Sequence, residues 1–179
     1  LLMLSDNELY NRYLTFNRYG IKNKNFRVGF SEAVIVTYTN WGSEEIRYLM
    51  PANVMLEAEA NGSTNSNLIW LIDGMAKWDQ NTIYTEILID DFAVDGKSPP
   101  QVAVSLGLGK KYNNLMLNIE YARINRWTGN YCDKAFNKAF IEKNVPIGHL
   151  MGSDAHQFIF STHYIINKKI NIESSLILL

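Results

Sequence analysis

The feature that most constrains this chain is a two-residue alternation of apolar with small or polar side chains, recurring along its length in segments bounded by Asn, Asp, Gly and Lys clusters. Successive side chains point to opposite faces of a strand, so a period of two selects β-structure over helix. Gln101 to Lys111 is the clearest segment: Val102, Val104, Leu106 and Leu108 form one row, while Ala103, Ser105, Gly107 and Gly109 form the other. Thr82 to Asp91 sets Ile83, Thr85, Ile87 and Ile89 against Tyr84, Glu86, Leu88 and Asp90. Asn67 to Trp78 opposes Leu68, Trp70, Ile72, Ala76 and Trp78 to a mixed row with Asp73 and Lys77. Leu115 to Thr128, His156 to Ile166, and a segment from Ile170 repeat the scheme, as do Tyr13 to Ile21 and Phe26 to Tyr38. These are eight predicted strands. Glu32 interrupts the apolar row of Phe26 to Tyr38, and a bulge is expected to turn it inward.

The connections alternate in length. Lys22 to Asn25, Asp79 to Asn81, Asn113-Asn114 and Asn167 to Lys169 are short, whereas Thr39 to Ser66, Phe92 to Pro100 and Gly129 to Ser153 are long. In an up-and-down antiparallel sheet every second turn lies on the same edge, so short turns collect on one side and long loops on the other. Outer-membrane barrels have that asymmetry. Several segments run 9 to 12 residues, close to the roughly 9 to 11 that a tilted strand needs to cross a bilayer. Tyr38, Trp41, Trp78, Tyr112, Trp127 and Tyr131 near strand ends suit an interfacial aromatic girdle, or else serve as core and loop aromatics. Pro51 to Asn61 is the one predicted helix, with proline in its first turn and Gly62 after its end; it falls inside a long loop. The fold class is therefore all-β, an antiparallel up-and-down transmembrane β-barrel with one short loop helix.

Composition narrows the function. Lys and Arg total 17 against 18 Asp and Glu, a net charge of −1, which argues against a nucleic-acid partner. An apolar fraction of 47% excludes global disorder. No apolar run is long enough for a helical membrane span, which leaves a strand-built span open. Cys132 is the single cysteine, and His149, His156 and His163 are scattered, so neither a disulfide, a metal centre nor a cofactor is expected. The chain starts at Leu1-Leu2 and stops at Leu178-Leu179 within an alternating segment, so residues 1–179 are expected to be one domain, a fragment of a larger barrel.

Five segments in order resemble the Wzi-type capsule assembly family of outer-membrane β-barrels, in its C-terminal part. They are Tyr13-Leu14-Thr15-Phe16-Asn17-Arg18, Phe30-Ser31-Glu32-Ala33-Val34-Ile35, Ile83 to Phe92 (IYTEILIDDF), Tyr121 to Thr128 (YARINRWT) and Pro146 to Asp154 (PIGHLMGSD). The chain departs from the pattern at Asn17, Met151 and Ser153. The resemblance implies a Gram-negative outer-membrane protein, in contact with outer-membrane lipid, that binds capsular or other surface polysaccharide and helps assemble or retain capsule without catalysis.

Candidate ligand-binding residues cluster where strands run into long loops. Glu86, Asp90 and Asp91 supply carboxylates that accept sugar hydroxyls or a bridging cation; the structural alternative is a loop anchor paired with Arg123 or Arg126. Arg123, Asn125, Arg126 and Trp127 offer guanidinium forks for uronates and an indole for a sugar's apolar face, or a girdle Trp with snorkelling arginines. His149 and Asp154 flank Gly148 and Gly152 in the last long loop. Ser153 and His156, three residues apart on one strand, point to opposite faces and make a poor nucleophile–base pair. His163 is expected to be a hydrogen-bonded lumen residue. The small row Ala103, Ser105, Gly107 and Gly109 leaves lumen space, so the alternative from another class is a porin-like diffusion channel. A soluble β-sandwich, its oily faces forming a core, is the third reading.

Overall fold

A computed structural model describes residues 2–3, 11–38, 66–91, 100–126, 128, 141–142, 145–146, 154–167 and 170–179. The elements in chain order are β1 Leu2–Met3, β2 Asn11–Lys22, β3 Phe26–Tyr38, β4 Ser66–Trp78, β5 Asn81–Asp91, β6 Gln101–Tyr112, β7 Leu115–Ile124, β8 Ile141–Glu142, β9 Val145–Pro146, β10 Ala155–Asn167 and β11 Ile170–Leu178. Nine of them form a single antiparallel sheet in the order β1-β2-β3-β4-β5-β6-β7-β10-β11, and β8 and β9 make a separate two-stranded hairpin. The described residues are thus all-β, and their eight long strands run up and down as neighbours.

Tight turns explain one edge. Asp79 and Asn113 adopt left-handed backbone conformations (φ 49° and 46°), which their short polar side chains tolerate better than other non-glycine residues. The Asn23 side-chain oxygen accepts from the N–H groups of Asn25 and Phe26, both at 2.8 Å, and Asn167 caps the last turn by accepting from Ile170 N–H at 3.0 Å. Each of three turns is also stitched to the next hairpin: the carbonyls of Asn25, Gln80 and Asn114 accept from the N–H groups of Lys77, Lys111 and Ile165. The strand ends that bound the three long connections all lie on the opposite edge.

Register assigns every strand two faces. Phe30, Ile72, Ile87 and Val104 follow one another across β3 to β6, and Leu108, Ile119, Phe160 and Leu176 across β6, β7, β10 and β11. This is the apolar face, and its large side chains are mostly exposed. The opposite face carries Gly29, Asp73, Glu86, Ser105, Ala122 and Gln157 in one row. The expected division of β6, with Val102, Val104, Leu106 and Leu108 opposite Ala103, Ser105 and Gly107, is present. Phe16 is an exposed apolar exception on the polar face.

Toward the long-connection edge, β3 and β4 are buried on both faces. Val34, Val36 and Leu68 pack with Trp70 on the apolar face, and Ile35 and Ile69 pack with Leu14, Ala33 and Leu88 on the other. Each such aliphatic side chain contributes about 1.5–3 kcal/mol when fully withdrawn from water.

Several sequence expectations change. No bulge occurs at Glu32: the ladder Asn17–Glu32–Trp70 is unbroken, and Glu32 stays on the apolar face at 2% exposure. The bulges fall instead between Ile89 and Asp91 and between Ile165 and Asn167, at strand ends where pairing is ending. The predicted strand Leu115 to Thr128 stops at Ile124, because the Asn125 carbonyl accepts from Thr128 N–H and from Asp154 N–H and turns the chain. The two-residue strands β1, β8 and β9 are too short to show a period. The predicted helix from Pro51 to Asn61 lies outside the described residues.

Candidate functional site

On the polar face, two long side chains cross a glycine to reach a carboxylate two strands away. Arg18 of β2 reaches past Gly29 of β3 to Asp73 of β4, pairing Nη1 with Oδ2 at 2.6 Å and donating from Nη2 to Oδ1 at 2.8 Å. Its Nη1 also donates to Ser31 Oγ at 3.2 Å, and Arg27 Nε stands 3.5 Å from Asp73 Oδ1. Asp73 is 4% exposed, so its charge is withdrawn from water and answered by two guanidinium groups, in a two-pronged geometry that suits arginine. A side chain at Gly29 would collide with both Arg18 and Asp73.

The second bridge repeats the plan. Tyr84 of β5 lies over Gly107 of β6, and its hydroxyl donates to Glu120 Oε2 of β7 at 2.5 Å. Tyr84, Gly107 and Glu120 are directly opposed in the register. The small residues of β6 therefore do not simply leave open space on the polar face, since an aromatic ring from the neighbouring strand lies on one of them. The Asn118 side-chain oxygen similarly lies close over Gly109.

The sequence-predicted ligand residues separate into two places. Glu86 is an exposed carboxylate on the polar face, opposite Asp73 and Ser105. Asp90 and Asp91 end β5 at the Ile89/Asp91 bulge, and Asp91 opposes Gln101. They share the long-connection edge with Arg123, Asn125, Arg126 and Asp154. Arg123 Nη2 is 3.6 Å from Asp154 Oδ1, and Arg123 Nη1 is 3.5 Å from His156 Nδ1, so the end of β7 meets the start of β10 there. By register Arg123 and His156 continue the row of Val104, at the margin of the apolar face rather than on the polar face. Asn125 is half-buried and structural: its N–H donates to Val102 O at 3.0 Å and its side chain to Pro100 O at 3.2 Å. Arg126 is exposed in the turn that follows β7. Asp154 has φ 58° and precedes β10. Trp127, His149 and Ser153 lie outside the described residues.

His163 is on the polar face as expected, with Nε2 3.9 Å from Glu173 Oε1, too far for a hydrogen bond. Among the described residues no group of three or more His, Cys, Asp or Glu is placed to hold a metal ion. The Arg18–Asp73 and Tyr84–Glu120 pairs were missed by sequence reading; a charged or phenolic residue whose in-register neighbour is glycine is the signal, visible only once the strands are aligned. Comparison with family models, with curated proteins and with solved structures gave no match.

Proposed function

We propose that this chain is part of the wall of an outer-membrane β-barrel that binds capsular or other surface polysaccharide at its long-loop rim and helps assemble or retain capsule, without catalysis. The observation that carries the membrane part is the exposed apolar face that runs across β4, β6, β7, β10 and β11. Ile72, Val104, Leu106, Leu108, Ile119, Phe158, Phe160, Ile172 and Leu176 all lie on it at roughly two-fifths exposure or more. Exposed apolar patches on soluble monomers are far smaller, whereas a lipid-facing sheet requires one. Strands of 9 to 13 residues match the span of a bilayer. A row of Tyr19, Phe26, Trp78, Tyr112 and Tyr164 on the same face toward the tight turns suits a headgroup-level girdle.

The polysaccharide part rests on the motif resemblance and on the rim, where Arg123, Asn125, Arg126, Asp154 and His156 gather cationic and hydrogen-bonding groups suited to uronates and hydroxyls. The Tyr84 and Arg18 bridges occupy the polar face and favour a filled wall over the open, charged constriction of a diffusion channel. Binding of purified capsular polysaccharide to the detergent-extracted protein tests the reading. Saturable binding that falls about ten-fold or more in Arg126→Ala, the scale of a lost charge-assisted hydrogen bond, and weakens in Trp127→Ala is expected. Absence of binding together with ion conductance in a planar bilayer would instead establish the channel.

A further inference from the structure

We infer that the tight-turn edge carries a binding site for an anionic phospholipid, a reading that rests on the membrane placement proposed above. On the apolar face a crevice of about 390 Å³ is lined by Trp78, Leu108, Leu117, Ile119 and Phe160, with Lys110 at its turn end. The register explains the gap. Trp78, Asn81, Lys110 and Leu117 are consecutive across β4, β5, β6 and β7, and the short Asn81 side chain stands between the indole and the lysine stem. In the next row Leu108, Ile119 and Phe160 form an apolar floor running toward mid-strand. An acyl chain fits such a floor.

The headgroup end has matching charge. Lys110 is the exposed strand lysine on this face, and Lys24 is exposed in the turn between β2 and β3; Lys22, Lys77 and Lys111 are exposed along the same edge but belong by register to the polar face. Lys110 Nζ lies 4.9 Å from the centre of the Tyr112 ring, which holds the ammonium at the level of the aromatic row. Lysines placed at the ends of an apolar span extend their ammonium groups toward phosphate. Aliphatic floor, aromatic wall and terminal cation together define the three parts of a phospholipid with net negative charge.

Trp78 reports on the site directly. The detergent-extracted protein is reconstituted into phosphatidylcholine vesicles doped with about 10 mol% of a lipid brominated on its acyl chains, either phosphatidylglycerol or phosphatidylcholine, and the Trp78 contribution is taken as the difference from Trp78→Phe. Anionic brominated lipid should quench Trp78 as though enriched roughly five-fold over its bulk fraction, the scale of one lysine near a charged headgroup. That excess should vanish in Lys110→Gln, and persist in Lys110→Arg and in Lys111→Gln on the opposite face. Equal quenching by the two lipids would overturn the anionic site while leaving the membrane placement intact. No quenching by either would overturn the membrane placement itself.

Discussion

Tyr84 and Glu120 belong to strands separated by a third, yet the Tyr84 hydroxyl donates a 2.5 Å hydrogen bond to the Glu120 carboxylate across Gly107. The ring can lie flat only because Gly107 has no side chain; a Cβ there would stand inside it. Gly107→Val should therefore destabilise the sheet by about 1–3 kcal/mol through overpacking. Tyr84→Ala should remove most of that cost in the double variant. Tyr84→Phe keeps the ring and loses only the bond, so it should cost about 1–2 kcal/mol, near the range for a hydrogen bond to a charged group. Denaturant unfolding in detergent micelles, followed by tryptophan fluorescence, measures all three variants.

Arg18 and Asp73 make the stronger of the two bridges. Asp73→Ala leaves Arg18 and Arg27 on the polar face without their shared carboxylate, and the expected loss is about 1–3 kcal/mol. Arg18→Lys should recover only part of the stability of Arg18→Ala, since a single ammonium cannot reproduce the two parallel bonds. Full recovery by lysine would show that charge alone, rather than geometry, holds the pair.

The two faces of β6 give a direct test of what surrounds the sheet. Leu106→Lys places a charge on the apolar face and should cost about 2–4 kcal/mol in a bilayer if that position lies near the midplane. Ser105→Lys, one residue away and on the polar face, should cost well under half as much. Single cysteines at Val102, Val104, Leu106 and Leu108 should react with lipid-phase probes, and those at Ala103, Ser105 and Gly107 with water-soluble ones. The reverse labelling pattern would invert the assignment of the faces.

Much of this architecture was legible in the sequence because alternation is a local signal. Phe26–Tyr38 was bounded correctly, and most other strands to within about two residues, since Asn and Asp punctuate the turns they also stabilise. Loop-length asymmetry gave the meander. Glu32 was misjudged because a lone carboxylate in an apolar row reads as a bulge, whereas the fold buries it between Asn17 and Trp70 without breaking the ladder. The Arg18–Asp73 pair, 55 residues apart, could not be read at all: it depends on the registers of two hairpin pairings at once. At the rim, Arg123 and Asp154 were chosen separately as candidates, and the pairing of β7 with β10 brings them together.

That rim pair yields the sharpest functional prediction. Asp154 lies 3.6 Å from Arg123 and is more than half exposed, so the ion pair adds little stability, within about 1 kcal/mol. Its larger effect is on charge: the carboxylate offsets the guanidinium that would meet an acidic sugar. Asp154→Asn removes the charge while retaining a side chain that tolerates the left-handed backbone at φ 58°. If the rim binds an acidic polysaccharide through Arg123, this variant should bind a few-fold more tightly, about what one exposed unit charge contributes near a surface, and should lose affinity more steeply with added salt. Adding Arg123→Gln should abolish the gain. Weaker binding in Asp154→Asn, measured on the same polysaccharide, would mean instead that the Asp154 carboxylate itself accepts the sugar's hydroxyls.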